Sequence, residues 1–483
     1  MTNRGTTKHM LEFDWDDDHD EQQQKDLDET LRKFRESFRS GAWQNGAPSP
    51  DALENIVHYC IESQKYEDAL MFSAMWKDAA PYSSDAWHKY GMALSGLLRW
   101  DEAIAAYERA AELDPVDTEI MINRGMALEQ VGRIDEAMTL IEAALTHDAD
   151  NPDALFTKGL LFEHRQKFDE AMRIFKYVSR HDALARDARY ELAFCLEQLE
   201  RDAEAIAIYD ELIDRDPYDS NAWFNLGVLY GRRNAQRKAV DAYEMALAIK
   251  PDFTAAWYNL GNALASQGKL DQAIAVYRDG LTVDPTDVSM LYNLATTLEE
   301  RGDFAEALDV FTQTLAYAPD HVQALYGRGT CHDALERYHE AISDYERALT
   351  LRPDAADVWY AKADALFNLR RTEESIACYQ RALALAPEDF ECWHDYGATC
   401  LEGGNDDEAV RAFAECIRID PTWPDGYVAM AKAMCLSVDY DAAFSNLQMA
   451  YTLDPTLAQD FDEEFSRVAG PFGVELLRSL LKL

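Results

Sequence analysis

The sequence has no long hydrophobic run. No stretch approaches the roughly 18 consecutive apolar residues of a transmembrane helix, and the N-terminus, MTNRGTTKHMLEFDWDDD, lacks the apolar segment of a secretory signal. The sequence therefore predicts neither a membrane span nor export. We expect a cytoplasmic protein.

Basic residues are scarce. The 483 residues include 46 Lys and Arg against 89 Asp and Glu, a formal net charge of −43, and only 15 of the basic residues are lysines. Nucleic acids and anionic membranes are bound through clustered basic side chains, so we predict neither as a partner. The acidic excess has two interpretations: adaptation to a salty cytosol, or ordinary solubility.

Motifs for catalysis and metal binding are missing as well. The eight cysteines form no CxxC, and there is no GxSxG, GxxxxGK[ST] or HExxH. Asp14, Asp16 and Asp18 alternate like the start of a calcium loop, but His19 and Lys25 stand where that loop needs Gly and Glu. We predict no enzyme, cofactor or metal site, with the cysteines serving as small apolar fillers.

Proline reveals an internal repeat. The composition is 48% hydrophobic and 11% aromatic, enough for a large core. Ten of the 15 prolines fall in one phase of a 34-residue period, which Ala149 and Ala183 alone interrupt. These prolines are Pro81, Pro115, Pro217, Pro251, Pro285, Pro319, Pro353, Pro387, Pro421 and Pro455.

The period divides residues 50–457 into twelve units when this proline is placed at position 32 of each. The units start at 50, 84, 118, 152, 186, 220, 254, 288, 322, 356, 390 and 424. Position 20 is Ala in eleven units, and position 8 is Gly or Ala in eleven. A fixed period of this length indicates a solenoid rather than several ordinary domains.

Each unit has helical spacing twice over. Apolar or small residues at positions 4, 7, 8 and 11 form one stripe, and those at 20, 24 and 27 form another. Gly at position 15 can end the first helix, Asp at position 18 can cap the second, and Asp or Asn at position 34 can cap the next unit's first helix. Small residues at 8 and 20 allow close helix approach, and aromatics at 4, 11 and 24 fill the gaps. Because one hairpin cannot bury its own stripe, the units must stack.

The pattern resembles the tetratricopeptide repeat (TPR) family. Its order of Trp or Leu, Gly, Tyr, Ala, Phe or Tyr, Ala and Pro is nearly complete in AWYNLGNALASQGKLDQAIAVYRDGLTVDP, residues 256–285. The resemblance implies an all-α, right-handed superhelix of helical hairpins that binds an extended peptide or a helix in a concave groove. It also implies that positions 2, 5, 6, 9, 12 and 13 of the first helices face that groove.

Position 5 carries a run of aromatic residues that we predict to lie in the groove. One interpretation is a stacking surface for a bound chain, and the other is ordinary packing within the repeats. The run is Phe156, Tyr190, Phe224, Tyr258, Tyr292, Tyr326 and Tyr360, followed by His394.

Asparagines follow the aromatics at position 6. Asn225, Asn259 and Asn293 occupy three consecutive units, with Asn262 at position 9. An amide can donate to and accept from a peptide backbone, and the arrangement is similar to the asparagine ladder in the repeat domain of O-linked N-acetylglucosamine transferase. The alternative is that Asn is simply a common residue at these positions.

The charges at the groove positions make the groove of the N-terminal half negative, and they predict a ligand that is neutral to basic where it contacts that half. Position 2 is acidic in the first five units, and position 12 carries Glu129, Glu163, Glu197, Glu299 and Asp333. The basic residues of a carboxylate clamp are missing. Solvated acidic side chains with no role in binding are the alternative interpretation.

The flanks predict caps for the array. Residues 1–49 hold an acidic tail and a predicted helix from Gln22 to Ser40, which either covers the first unit or docks on a partner. In residues 458–483 we predict a helix from Gln459 to Val468 and a break at Gly470 and Pro471. The apolar final segment either packs back onto the solenoid or contacts a partner.

Taken together, these features predict a protein-interaction scaffold or adaptor. A self-assembling structural protein and an accessory subunit of an enzyme complex remain the alternatives.

Overall fold

The computed structural model describes residues 49–180, 184–461 and 465–481, together with Arg32. By its internal contacts the chain divides into an N-terminal body, Met1–Leu229, and a C-terminal body, Tyr230–Leu483. Apart from Arg32, the N-terminal helix predicted at 22–40 lies outside the described residues.

The N-terminal body is built of short helices of 11 to 14 residues joined by brief loops. They are α1 (Pro50–Glu62), α2 (Tyr66–Ala79), α3 (Ser84–Gly96), α4 (Trp100–Leu113), α5 (Thr118–Gln130), α6 (Ile134–His147), α7 (Pro152–His164), α8 (Phe168–Val178), α9 (Ala185–Gln198) and α10 (Asp202–Arg215). The division between the bodies falls within α11 (Ser220–Arg232).

The C-terminal body continues the same alternation. Its helices are α12 (Gln236–Ile249), α13 (Thr254–Ala265), α14 (Leu270–Val283), α15 (Val288–Arg301), α16 (Phe304–Tyr317), α17 (Val322–Ala334), α18 (Tyr338–Leu351), α19 (Ala356–Asn368), α20 (Thr372–Leu385), α21 (Phe390–Glu402), α22 (Asp406–Ile419), α23 (Pro424–Leu436) and α24 (Tyr440–Leu453). A 3-10 helix (Pro455–Asp460) and α25 (Gly470–Leu481) follow. The described residues contain helices and no strand, which confirms the predicted all-α solenoid class. The exact unit boundaries remain a prediction.

A left-handed residue separates the two helices of each hairpin. Position 15 has a positive φ in all twelve predicted units. Four units carry glycine there, as predicted: Gly132, Gly268, Gly302 and Gly404. The other eight hold non-glycine residues at φ between 56° and 62°: Gln64, Leu98, Gln166, Glu200, Asn234, Glu336, Arg370 and Val438. A left-handed residue closes a helix C-terminus by letting its N–H reach back to an earlier carbonyl.

The predicted cap at position 34 is confirmed. Side chains of Asp117, Asn151, Asp219, Asp287 and Asp389 each accept a hydrogen bond from a first-turn N–H of the next helix. The predicted cap at position 18 is wrong. The second helices begin at position 17, so Asp101 and its equivalents lie in the first helical turn. Their negative charge interacts favourably with the helix dipole there, but they do not cap the helix.

Glycine at position 8 makes room for the aromatic ring at position 24 of the same unit. A Cβ built on Gly91, Gly261 or Gly329 would lie 2.6, 2.2 or 2.4 Å from the ring of Tyr107, Tyr277 or Tyr345. These three rings are essentially fully buried. The small residues at position 8 predict a close approach of two helix backbones, whereas at these three glycines an aromatic ring approaches the backbone.

Tryptophan at position 4 links five of the predicted units to the proline before them. The indole Nε1 of Trp87, Trp223, Trp257, Trp359 and Trp393 donates to the carbonyl oxygen of the preceding unit's proline at 2.9 to 3.1 Å. The proline therefore both ends one helix and offers its carbonyl to the next hairpin.

The C-terminal end differs in part from its prediction. Phe461 and Phe465 are buried as expected and stack at 5.2 Å. The chain before Phe461 is a 3-10 helix, however, and residues 466–469 form a turn, so the predicted continuous helix from Gln459 to Val468 is wrong. The helix α25 begins at Gly470, where Pro471 fits because the first helical turn needs no N–H donor.

Candidate ligand-binding face

The aromatic residues at position 5 pack against position 24 of their own unit. Centroid distances from position 5 to position 24 are 5.4 Å for Phe156 to Phe175, 6.0 Å for Tyr190 to Tyr209, 6.1 Å for Tyr292 to Phe311, 6.1 Å for Tyr326 to Tyr345, 6.0 Å for Tyr360 to Tyr379 and 6.3 Å for His394 to Phe413. Phe156 is 5% exposed, and the other predicted aromatics, Phe224 and Tyr258 included, are half-buried. Each ring thus has a packing role and, except at Phe156, an accessible edge.

Two of the predicted asparagines pair with each other. Asn293 donates from Nδ2 to Oδ1 of Asn262 at 2.6 Å, and the Tyr277 hydroxyl donates to the same oxygen at 2.6 Å. These amides link consecutive units.

Asn225 and Asn259 are different. Both are half-buried, and neither side chain makes a hydrogen bond to the described part of the chain. An amide donor and acceptor therefore remain available at each.

Position-12 carboxylates in the N-terminal body are engaged by neighbouring side chains. Glu129 meets His164 Nε2 at 2.6 Å, the Cys195 thiol donates to Glu163 at 3.2 Å, and the Tyr209 hydroxyl donates to Glu197 at 3.0 Å. Burial and the nearby Glu163 raise the pKa of the Cys195 thiol, which keeps it protonated as a donor. These three carboxylates of the predicted negative groove therefore already have partners within the chain.

The C-terminal body holds a second group of carboxylates on its first helices. Glu299 accepts from the Thr330 hydroxyl, and Asp364 accepts from the Tyr379 hydroxyl. Burial raises the pKa of Glu299, and it raises the pKa of Asp333 and of Asp364 to about 6. All three titrate nearer neutrality than carboxyls in water.

Asp395 shows the opposite behaviour. It contacts His394 Nδ1 at 2.9 Å and accepts from the Tyr360 hydroxyl at 2.7 Å. Burial opposes its ionisation, but the hydrogen bonds from His394 and Tyr360 outweigh it and lower the Asp395 pKa. The pKa of His394 is raised chiefly by its hydrogen bond to Asp395. His394 also lines a cavity with Asp425, Lys432 and Phe461.

Asp364 and Asp395 were not predicted from the sequence as members of this group. Asp364 is at position 9 and Asp395 at position 6, so no single position collects them. The signal was the separation of 31 residues from Asp333 to Asp364 and again to Asp395. The hydrogen bonds from Asn293 to Asn262 and from Thr330 to Glu299 span the same separation, which is the diagonal of contact between neighbouring first helices.

The cysteines lie in the packed interior. All eight are free and buried. Among the described residues, no group of three or more His, Cys, Asp or Glu side chains has the arrangement of a metal site. No helix in the same part of the chain is both long and apolar enough to span a membrane.

Family models of tetratricopeptide repeats match several parts of the sequence. Such models match residues 91–154 and 292–357, 254–287, and 232–268. A model of anaphase-promoting complex (cyclosome) subunit 3 matches residues 130–212. The middle TPR-like domain of cilia- and flagella-associated protein 70 matches 360–469.

Solved structures of repeat proteins resemble parts of the chain. YrrB, described as a TPR protein with an unusual peptide-binding site, is 19% identical over 39% of this chain and 96% of its own, with a TM-score of 0.36. A chain of the Cut9–Hcn1 heterotetramer of the anaphase-promoting complex is 13% identical over 90% of this chain and 97% of its own, with a TM-score of 0.41. The C-terminal part of a Cytophaga hutchinsonii TPR protein is 18% identical over 49% of this chain and 98% of its own, with a TM-score of 0.44. No curated protein matches the sequence significantly.

Proposed function

This chain is a tetratricopeptide repeat protein, and from that membership we propose that it is an interaction scaffold whose first helices bind an extended segment of a partner protein. The observation that carries the proposal is that each body has an uncommitted amide on a first helix, Asn225 in the N-terminal body and Asn259 in the C-terminal body. Each directly follows an aromatic residue, and each can both donate to and accept from a peptide backbone.

The aromatic residues beside these amides support a binding role. Phe224 and Tyr258 are half-buried, so part of each ring is fixed by packing while another part stays accessible. A ring that is already immobilised loses little conformational entropy when a ligand stacks on it. An aromatic followed by an amide thus offers an apolar contact and a backbone hydrogen bond at adjacent residues.

The ligand we propose is neutral to basic in the part that contacts the first helices. The carboxylates on these helices outnumber their basic residues, and like charges brought together across an interface are costly. Of the basic residues at these positions, Lys89 already lies 3.6 Å from Glu119. An acidic segment would find few cations to pair with.

The test uses the amides that the structure leaves available. A partner is first identified by co-purification from native cells, and binding of the recombinant partner is then measured by calorimetry. Asn225→Ala and Asn259→Ala should each weaken binding by about 1 kcal/mol or more, because a ligand backbone group loses its hydrogen bond. The melting temperature should stay unchanged, because neither amide bonds within the described chain.

Gln313→Ala is the matched control. Gln313 is an exposed amide on α16, a second helix, so its removal should leave binding unchanged. If Asn225→Ala and Asn259→Ala bind the partner as the control does, the proposed binding face is wrong.

A further inference from the structure

Three carboxylates of the C-terminal body share one neighbourhood around a buried tyrosine. We call Glu299, Asp333, Asp364 and Tyr345 the tyrosine–carboxylate cluster. The Thr330 hydroxyl, three residues before Asp333 on the same helix, donates to Glu299. Burial, and then the charges of Asp333, Asp364 and Glu299, raise the pKa of the Tyr345 hydroxyl. The cluster joins side chains of α15, α17 and α19 to one of α18.

The Tyr345 hydroxyl points toward the first helices, as its equivalents do. In sister hairpins the position-24 hydroxyl meets a side chain at position 9 or 12 of the first helix: Tyr277 donates to Asn262, Tyr209 to Glu197 and Tyr379 to Asp364, and Tyr107 pairs with Ser95. Tyr345 lies over Gly329 in the same way as these rings lie over position 8. Its hydroxyl is therefore directed toward positions 9 and 12 of its own unit, which are Thr330 and Asp333.

Two polar atoms of the cluster have no partner. Tyr345 is 0% exposed, yet its hydroxyl makes no hydrogen bond, and Asp333 Oδ1 is likewise buried and unpaired. A buried polar atom without a partner costs roughly 1 to 3 kcal/mol. Such exceptions in a folded protein call for an explanation, and binding of a cationic group beside these atoms is one.

The cluster also lacks a counter-ion. No Lys, Arg or His of the described chain forms an ion pair with Glu299, Asp333 or Asp364, and the charged neighbours that influence the pKa of Asp364 are Asp395 and Asp333. These three side chains are half-buried. The fully buried carboxylates Asp344 and Glu129 are matched, since Asp344 pairs with Arg328 and Glu129 with His164. Buried carboxylates are normally paired.

We infer that the tyrosine–carboxylate cluster is a subsite for a cationic side chain, a guanidinium or an ammonium, of the segment bound by this protein. The inference rests on the proposed function and adds a ligand chemistry and a location in the C-terminal body. A guanidinium carries several N–H donors and a permanent charge, so it can engage more than one of the half-buried carboxylates beside the Tyr345 ring. The charge selectivity expected from the sequence in the N-terminal half is thereby assigned to α15, α17 and α19.

The experiment measures binding of fluorescent hexa-arginine amide by anisotropy at fixed ionic strength. Hexa-citrulline amide is the matched probe, because it has a similar shape and no charge. The wild-type protein should bind hexa-arginine at least tenfold more tightly than hexa-citrulline. The double variant Asp333→Asn with Asp364→Asn should weaken hexa-arginine binding about tenfold.

A control with equal charge separates the subsite from the general acidity of the chain. Asp279 and Asp309 are exposed residues of the same body, so Asp279→Asn with Asp309→Asn changes the net charge identically. Binding by this control should stay within about twofold of wild type. Equal weakening of the two double variants, or equal binding of the two peptides, overturns the inference.

Two milder variants test whether weaker binding by the double variant comes from misfolding. Tyr345→Phe keeps the ring over Gly329 and removes only the hydroxyl, and single Asp364→Asn changes one group. Each should weaken hexa-arginine binding by a smaller factor with an unchanged circular dichroism spectrum, and wild-type binding by both contradicts the subsite. A partner that depends on Asn225 and Asn259 but shows no dependence on the cluster refutes this inference alone, whereas the opposite result refutes the backbone-binding proposal.

Discussion

At the residue scale, Asp333 is a carboxylate held where its charged form is disfavoured. Burial raises its pKa to about 6, above the ordinary value of 3.8, and one of its oxygens has no partner. The folded state therefore binds this proton more tightly than the unfolded state does. Protonation of Asp333 stabilises the fold, and that stabilisation is gained as the pH falls from about 6 toward 4 and lost as it rises again.

Asp333→Asn should consequently stabilise the protein at pH 8 and do little at pH 4.5. The gain at pH 8 should be about 1 kcal/mol, once the share of the pKa shift that solvent screens is discounted. Thermal melts of the variant and the wild type at both pH values measure how the stability gain depends on pH. Asp309→Asn, at an exposed site, is the control and should show no such dependence. A gain that is equal at both pH values would mean that charge burial is not its cause.

The pairing of individual polar side chains was the part least accessible from sequence. Asn262 and Asn293 were grouped by repeat position as ligand contacts, yet they bond to each other. The periodicity establishes which residues occupy equivalent positions, but pairs such as this depend on the offset between neighbouring helices. The three-dimensional stacking sets that offset, and a repeat length does not reveal it.

At the scale of the element, the hairpin turn has one demanding residue. Position 15 is left-handed in every unit, and Val438 occupies it with φ at 62°. A β-branched residue is strained there. Cβ atoms built on Gly132, Gly268, Gly302 and Gly404 would meet nothing within 4 Å, so only backbone conformation distinguishes these sites.

Val438→Gly should therefore raise stability, and Gly132→Ala should lower it, each by about 1 kcal/mol. The two opposite substitutions control for each other. The Val438 side chain is exposed, and a Cβ at Gly132 would meet nothing within 4 Å, so both substitutions act mainly through backbone conformation. Chemical denaturation is the measurement. Stabilisation by Gly132→Ala would show that the turn tolerates side chains and that loss of unfolded-state entropy dominates.

Helix boundaries were predicted unevenly, for a local reason. The cap at position 34 and the stop before the proline followed from short-range chemistry visible in sequence. The start of the second helix did not, because its N-cap at position 16 is usually Lys or Arg and, with the exception of Asp439, makes no side-chain cap within the described units. A tight turn imposed by the left-handed residue starts this helix instead of a capping side chain.

The final helix α25 tests the choice between a cap and an interface. Gly473 lies against Tyr440, the Tyr440 hydroxyl donates to the Ala469 carbonyl at 3.2 Å, and Leu477 is fully buried. Truncation after Val468 should therefore destabilise α23 and α24, by about 2 kcal/mol for Leu477 alone. Hydrogen exchange of these helices would detect the loss.

A second surface of α25 is exposed. Phe472 is 72% exposed and meets the Tyr440 ring edge-on at a centroid distance of 6.4 Å, so Phe472→Ser should change the same hydrogen exchange far less than truncation does. If Phe472→Ser lowers the mass measured by light scattering at high protein concentration, α25 also serves self-association. If truncation leaves α23 and α24 fully protected, the capping role is wrong.

At the scale of the whole molecule, the net charge of −43 opposes compact folding. Several arginines are bound locally to acidic residues three positions away, such as Arg99 to Glu102, Arg133 to Glu136 and Arg371 to Glu374. With 46 basic residues against 89 acidic ones, the charge of 43 carboxylates is not balanced by any basic residue. Composition alone predicts this repulsion, because it depends on the totals and not on the fold.

Added KCl should therefore raise the melting temperature, and the shape of the curve distinguishes the two interpretations of the acidic composition. The screening length falls from about 10 Å at 0.1 M salt to about 3 Å at 1 M, so simple relief of repulsion should level off below about 1 M. A protein adapted to a salty cytosol should instead keep gaining stability into molar KCl and lose it when salt is removed. A melting temperature that is flat from low to molar KCl would contradict both salt adaptation and the predicted relief of repulsion, and would leave ordinary solubility as the interpretation of the acidic surface.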